Sequence, residues 1–172
     1  MIYLNSIKTF LITLAIYIGL NAVFLVASIF LAPGYPLDDI FLIVSSLFSP
    51  IIRTPQYVFM SFVFLPTAPN LLIGVLSSLA LIVPPLVAVI VGARLGDSGK
   101  ISFLSWFLTA VLSSVVNFFL VFFGRDISLY LSGMWFSFEM IYGFIGAIVF
   151  LLIVGIINGF FYGCFSFLFS RD

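Results

Sequence analysis

The sequence predicts an all-α integral membrane protein: a four-helix transmembrane bundle with short interfacial or re-entrant helices in its two outer loops. Three observations point there. The 172 residues are 64% hydrophobic and 7% charged, with a mean hydropathy of +1.39, against roughly 25% charged residues in a soluble domain. Four stretches, residues 9–32, 70–93, 101–123 and 140–170, carry no charge at all, and each exceeds the ~20 residues that a helix needs to cross a hydrocarbon core. Each also carries a stripe of small residues, the usual means by which helices approach one another in lipid. Backbone groups in lipid must be paired within the segment, so stretches of this length read as helices; barrel strands would show alternation over about ten residues. The chain reads as one membrane domain, 1–172.

The first crossing, 9–32, is too long for the apolar region of a signal peptide, and Val26-Ala27-Ser28 resembles a cleavage site only weakly, so a retained helix is expected. It carries the small residues Ala15, Gly19 and Ala22, and on another face Tyr17, Asn21 and Ser28.

Residues 33–69 follow, apolar but divided by Pro33, Pro36, Pro50, Pro55, Pro66 and Pro69. Asp38 can cap a helix that must end before Pro50, because the residue preceding a proline is pushed out of helical geometry. Thr54-Pro55 marks the start of a second, with proline at the first helical position. Apolar pieces of this length lie flat on the interface or re-enter the membrane. The segment, about 37–66, is therefore expected to do one or the other.

The second crossing, 70–93, carries Gly74, Ser78, Pro85, Ala88 and Gly92 at helical spacing. Pro84-Pro85 interrupts it and frees backbone carbonyls that a neighbour must satisfy. That leaves either a static kink covered by Ser77 and Ser78 or a hinge of the kind found in discontinuous transporter helices. The third crossing, 101–123, offers a ridge of Ser105, Thr109, Ser113 and Asn117. After it, residues 126–139 predict an interfacial amphipathic helix capped by Asp126. Ile127, Tyr130, Leu131, Met134 and Phe138 fall on its apolar face, and Trp135 and Tyr130 suit the headgroup level.

The last crossing, 140–170, contains a ladder at four-residue spacing: Gly143, Ala147, Leu151, Gly155, Gly159 and Gly163. Glycine inside a helix costs about 1 kcal/mol relative to alanine, so the ladder implies a close neighbour, expected to be the Ser105–Asn117 ridge. Self-association or docking on a foreign helix through this face is the alternative.

Asn21 and Asn158 lie near the middle of their crossings and Asn117 in the outer third of its own. An up-down bundle in which the first and last helices are neighbours would pair Asn21 with Asn158. Positive charges set the orientation. Lys8, Arg94, Lys100 and Arg171 share the side of the termini and Arg53 and Arg125 the other, which places both termini in the cytoplasm and the chain in the plasma (cytoplasmic) membrane.

Chemistry is sparsely provided for. There is no histidine and a single cysteine, Cys164, so no internal disulfide and no Cys/His metal site can form. Cys164 could be acylated or simply packed. Balanced charge, six cations against six anions, leaves no footprint for nucleic acid. Asp38 and Asp39 are adjacent and would point to different helix faces. No catalytic residue, cofactor or metal is expected. The composition favours a structural or accessory subunit of a larger membrane complex, with the bilayer and other subunits, or a second copy, as partners. The alternative is a small-molecule carrier or the substrate-capture subunit of a transporter.

Overall fold

Six helices make up the protein in a computed structural model that describes residues 2–31 and 35–170. They are α1 (Ile2–Leu31), α2 (Ile40–Phe48), α3 (Pro55–Val63), α4 (Leu71–Leu95), α5 (Gly99–Gly124) and α6 (Leu129–Phe169). No strand occurs among the described residues. Four of the helices, α1, α4, α5 and α6, are long and apolar enough to cross a membrane. Ala32, the end of the first expected crossing, Pro33 of the segment that follows it, and the cation Arg171 lie outside the described residues.

Helix starts follow side-chain caps. The Asp39 carboxylate accepts from the Leu42 N–H at 2.9 Å, Thr54 from Tyr57 at 3.4 Å, Asn70 from Ile73 at 3.2 Å, Ser98 from Ile101 at 3.4 Å and Ser128 from Leu131 at 3.1 Å. Each gives a partner to an N–H that has none within its helix. Two of the expected caps are displaced, Asp38 by Asp39 and Asp126 by Ser128. The Ser128 hydroxyl also donates to the Asp39 carboxylate, so the starts of α2 and α6 are tied together.

The last expected crossing is corrected at its start. Gly143, with φ 71° and ψ 171°, is non-helical and breaks α6 into residues 129–142 and 144–169. Its place is set by this left-handed φ, which side chains disfavour, and not by a close neighbour: a methyl group there would meet nothing within 4 Å. The expected helix 126–139 therefore runs on to 142. Its buried residues are Ser128, Leu131 and Trp135, while Ile127 and Tyr130 are exposed. Trp135 is buried because its Nε1 donates to Glu139 at 2.8 Å and its ring, with that of Phe122, receives the Arg125 guanidinium at 4.8 and 4.4 Å.

The rest of the glycine ladder does face α5, but not the expected ridge. A Cβ at Gly155 would strike Ser114 and the carbonyl of Ala110, at Gly159 the Phe107 ring, and at Gly163 the Phe103 ring. The Ser114 hydroxyl donates to the Leu151 carbonyl across this contact. Ala147 is fully buried, near the hairpin end of the same helix. Ser105, Thr109, Ser113 and Asn117 are also buried, on a different side of α5, with Ser105 beside Ser6 and Phe10 of α1.

On α1 the packed face is Thr9, Thr13, Tyr17 and Asn21, at i+4 spacing, not the small residues. Ala15 and Gly19 are exposed, and nothing lies within 4 Å of the position a Gly19 Cβ would take. Thr13 instead abuts Gly92 of α4, and the Ser102 hydroxyl of α5 donates to the Gly92 carbonyl at 3.1 Å. The end of the bundle that holds the termini is thus closed by small residues.

In this packing α5 touches α1, α4 and α6, while α1 and α6 occupy opposite corners. The first and last long helices are not neighbours, so the expected Asn21–Asn158 pair does not form. What separates them is the hairpin of α2, a 3-10 turn (Ser49–Ile52) and α3. Helix α2 enters between α1 and α5, the turn meets α4, α5 and α6, and α3 leaves along α4. Substituting Gly155 with leucine should destabilise the purified protein by about 1–3 kcal/mol through overpacking, whereas Gly19→Leu should be near neutral. Thermal unfolding of both variants in nanodiscs checks this, and equal effects would contradict the assigned contact.

Candidate functional site

The tip of the hairpin carries backbone groups that its own short helix cannot pair. The last four carbonyls of any α-helix lack intrahelical donors, and here they end in the middle of the bundle. Polar side chains from three long helices meet them. The Tyr17 hydroxyl donates to the Phe48 carbonyl at 3.1 Å and accepts from the Ile51 N–H at 3.3 Å. The Asn21 amide donates to the Leu47 carbonyl at 2.7 Å. From the opposite corner, the Asn158 amide donates to the carbonyls of Ile51 at 2.6 Å and Arg53 at 3.0 Å. Asn117 accepts from the Ser45 hydroxyl at 2.8 Å and reaches the Ser45 carbonyl at 3.5 Å.

Four of the five polar groups singled out by sequence therefore converge on one element, while Ser28 donates to the Phe24 carbonyl of its own helix. None of the four bonds to another asparagine; each holds the hairpin. Asn158 is itself fixed by the Trp106 indole, which donates to its backbone carbonyl at 3.2 Å. Both amide protons serve the hairpin, and among the described residues its buried Oδ1 has no hydrogen-bond donor.

Apolar packing seats the same tip. Ile51 is fully buried with Tyr17, Ala88, Val89, Trp106 and Tyr162. Its neighbour Ile52 faces a second cluster with Val121, Leu131, Trp135, Leu151 and Val154. Adjacent isoleucines thus enter two cores, one on either side of the turn.

Beside the tip lies a cavity of about 170 Å³, bounded by Asn21, Phe24, Leu25 and Ser28 of α1, by Tyr35, Ser46 and Ser49, and by Ala80 and Leu81 of α4. Ser28 joins Asn21 here as its shared helical face suggested; Tyr17 turns to the tip instead. Pro84 and Pro85 are buried inside α4, which continues as one helix from Leu71 to Leu95. Ser78 covers neither freed carbonyl: its hydroxyl donates to Ser61 of α3 at 3.3 Å, and Ser77 is exposed. Proline has no N–H, so Pro84 and Pro85 withdraw the helix donors of the carbonyls four residues earlier. Those carbonyls belong to Ala80 and Leu81, the two α4 residues of the cavity wall.

Sequence reasoning missed Tyr35, Ser46 and Ser49, and the backbone of residues 47–53 as the partner of the asparagines. Hydroxyls clustered just before Pro50 were the available signal. Asp39 and Arg53 stand at opposite ends of α2 and its turn, so the acids and the arginine of this loop form no common centre. No trio of His, Cys, Asp or Glu that could hold a metal is found among the described residues, and Cys164 is exposed on α6.

No family model matches this chain, and no curated protein or solved structure matches it either. Function must be read from its own geometry.

Replacing Tyr17 by phenylalanine removes one oxygen that serves two backbone groups, and Asn158→Leu strands two carbonyls. Each should lower stability by about 1–2 kcal/mol, with Asn21→Leu, which strands one, nearer 1. Chemical or thermal unfolding measures the ranking. An Asn158→Leu loss no larger than that of Asn21→Leu would contradict the assigned bonds.

Proposed function

We propose that this is a non-catalytic, multi-pass membrane protein that binds a small molecule beside a re-entrant hairpin, as a carrier or the substrate-capture subunit of a transporter. The observation that carries the reading is the cavity itself, polar on the hairpin side and bounded by a helix terminus inside the bundle. An accessory subunit needs no such space. Ligand sites in membrane carriers are commonly built where helices end or are broken inside the protein, because backbone polar groups there can serve a substrate.

In this reading α1, α4, α5 and the part of α6 after Gly143 cross the bilayer. Helix α2 has nine residues, which rise about 14 Å at 1.5 Å each, close to half of a ~30 Å hydrocarbon core. Its tip therefore reaches the membrane centre, where an unpaired backbone group would cost several kcal/mol. The Arg53 backbone lies at that depth, and its guanidinium packs over the Tyr57 ring at 4.6 Å. Withdrawing Arg53 from the outer loop sharpens the charge bias to Lys8, Arg94, Lys100 and Arg171 against Arg125 alone. Both termini are then cytoplasmic and the hairpin opens outward, in the plasma membrane.

Assembly with further subunits, or with a second copy, is favoured by one separate observation. The small face of α1 at Ala15 and Gly19 has no partner among the described residues, which suits a helix from outside the chain.

Two measurements test the proposal. In a Cys164→Ala background, single cysteines at Leu37, Thr67 and Ile127 should react with membrane-impermeant reagents added to intact cells. One at Thr54 should be protected, and one at Ser98 should require a permeant reagent. Reaction at Thr54 as fast as at Leu37 would mean a hairpin lying flat. For binding, purified protein is exposed to a metabolite extract and the retained small molecules are identified by mass spectrometry. Wild type should retain a compound that Ala80→Phe, which fills the cavity, does not; identical profiles would contradict the binding reading.

A further inference from the structure

We infer that the cavity between α1, the hairpin and α4 selects small organic molecules that donate hydrogen bonds through N–H or O–H, and rejects anions and acceptor-only analogues. The inference rests on the binding reading above and concerns the chemistry of that site.

The argument is an inventory of protons. A hydroxyl has one proton and two lone pairs. The Ser28 proton goes to the Phe24 carbonyl at 2.8 Å and the Ser46 proton to the Leu42 carbonyl at 2.8 Å. Tyr35 lies 3.2 Å from the Ser46 oxygen. With the Ser46 proton committed, Tyr35 must be the donor of that pair. Ser49 turns its proton to the Ser46 carbonyl at 3.4 Å, and the Asn21 amide gives one of its two protons to the Leu47 carbonyl at 2.7 Å. Every hydroxyl proton in the wall is thus directed at protein. The oxygens of Ser28, Tyr35 and Ser49 keep their lone pairs.

The opposite wall adds acceptors of a second kind. Pro85 deprives the Leu81 carbonyl of its α-helical donor, and Pro84 removes the i+3 alternative as well. Pro84 also deprives the carbonyl of Ala80 of its i+4 donor. The two prolines therefore leave under-bonded carbonyls on the two α4 residues that line the cavity. Helix α2 ends at the same place, and the partial negative charge of a helix C-terminus has the same sign of preference. No carboxylate, lysine or arginine lines the space. An anion would meet no cation and mostly acceptor oxygens, and an ether or a ketone would leave those acceptors unpaired, which is where discrimination by hydrogen bonding is strongest. The volume of about 170 Å³ is near that of a 150 Å³ engineered cavity that accepts benzene, so a body of about one ring fits against Phe24 and Leu25.

Pyrrole and furan provide a matched test: one five-membered ring, with an N–H donor in the first and only an acceptor oxygen in the second. Pyrrole-2-carboxylate supplies the anion. Binding is measured by ligand-detected NMR on the full-length protein in nanodiscs, with protein-free nanodiscs subtracted for partition into lipid. Ala80→Phe and, from the other wall, Ser28→Phe fill the cavity independently, and folding of each is checked by its thermal transition. Pyrrole should bind wild type and be lost in both variants, with furan and the carboxylate at least about tenfold weaker. If furan binds as well as pyrrole and both are lost in the filled variants, the cavity is a binding site and the donor inference is overturned. If no ring shows binding that the filled variants abolish, the binding reading falls and this inference with it.

Discussion

Backbone carbonyls inside a bundle of apolar helices need donors, and this requirement organises the protein. The α2 helix and its 3-10 turn bring the carbonyls of Leu47, Phe48, Ile51 and Arg53 to the middle of the molecule, where Asn21, Tyr17 and Asn158 pair with them. Those three side chains come from α1 and α6, on opposite corners. The hairpin tip is therefore a spacer held from both sides, and it keeps the first and last long helices from meeting. Once they are apart, α5 becomes the helix against which α1, α4 and α6 all pack. Small residues then close the other end, with Gly92 against Thr13 and the Ser102 hydroxyl on the Gly92 carbonyl.

The same geometry creates the cavity. A nine-residue helix inserted between longer ones fills the space beside α5 but leaves a gap toward α4, and the gap is bounded by what a helix end exposes. The paired prolines of α4 act on the opposite wall at the same level. Each feature alone has a structural explanation, the asparagines as fasteners and the prolines as a tolerated irregularity. Together they put hydroxyls, an amide and two proline-freed backbone positions around one otherwise apolar space. This convergence is why a binding role accounts for the chain better than a purely structural one.

The long helices were legible because length and uncharged composition suffice to specify them. Thr54-Pro55 was legible as a helix start because capping is local chemistry. The intrahelical rotations were not. The ladder in α6 lies against Phe103, Phe107, Ala110 and Ser114 of α5 and not against the polar ridge, because rotation about a helix axis is fixed by all neighbours together. Small residues misled on α1, where hydroxyls and amides and not Ala15 or Gly19 make the packed face. Asn21, Asn117 and Asn158 stood out as polar groups in apolar helices, but their partners are mostly main-chain atoms, which every residue has and no sequence pattern marks. Gly143 shows the complementary ambiguity: glycine spacing cannot distinguish close packing from a backbone turn with positive φ.

The central claim, that the hairpin tip is buried in the bundle by these bonds, is tested most directly by amide hydrogen exchange in bilayer nanodiscs. The account predicts that the amides of Ile51, Ile52 and Arg53 exchange as slowly as those at the centre of α5 around Ala110, while the turn at Leu65–Thr67 exchanges fast. Exchange at residues 51–53 as fast as at 65–67 would contradict it.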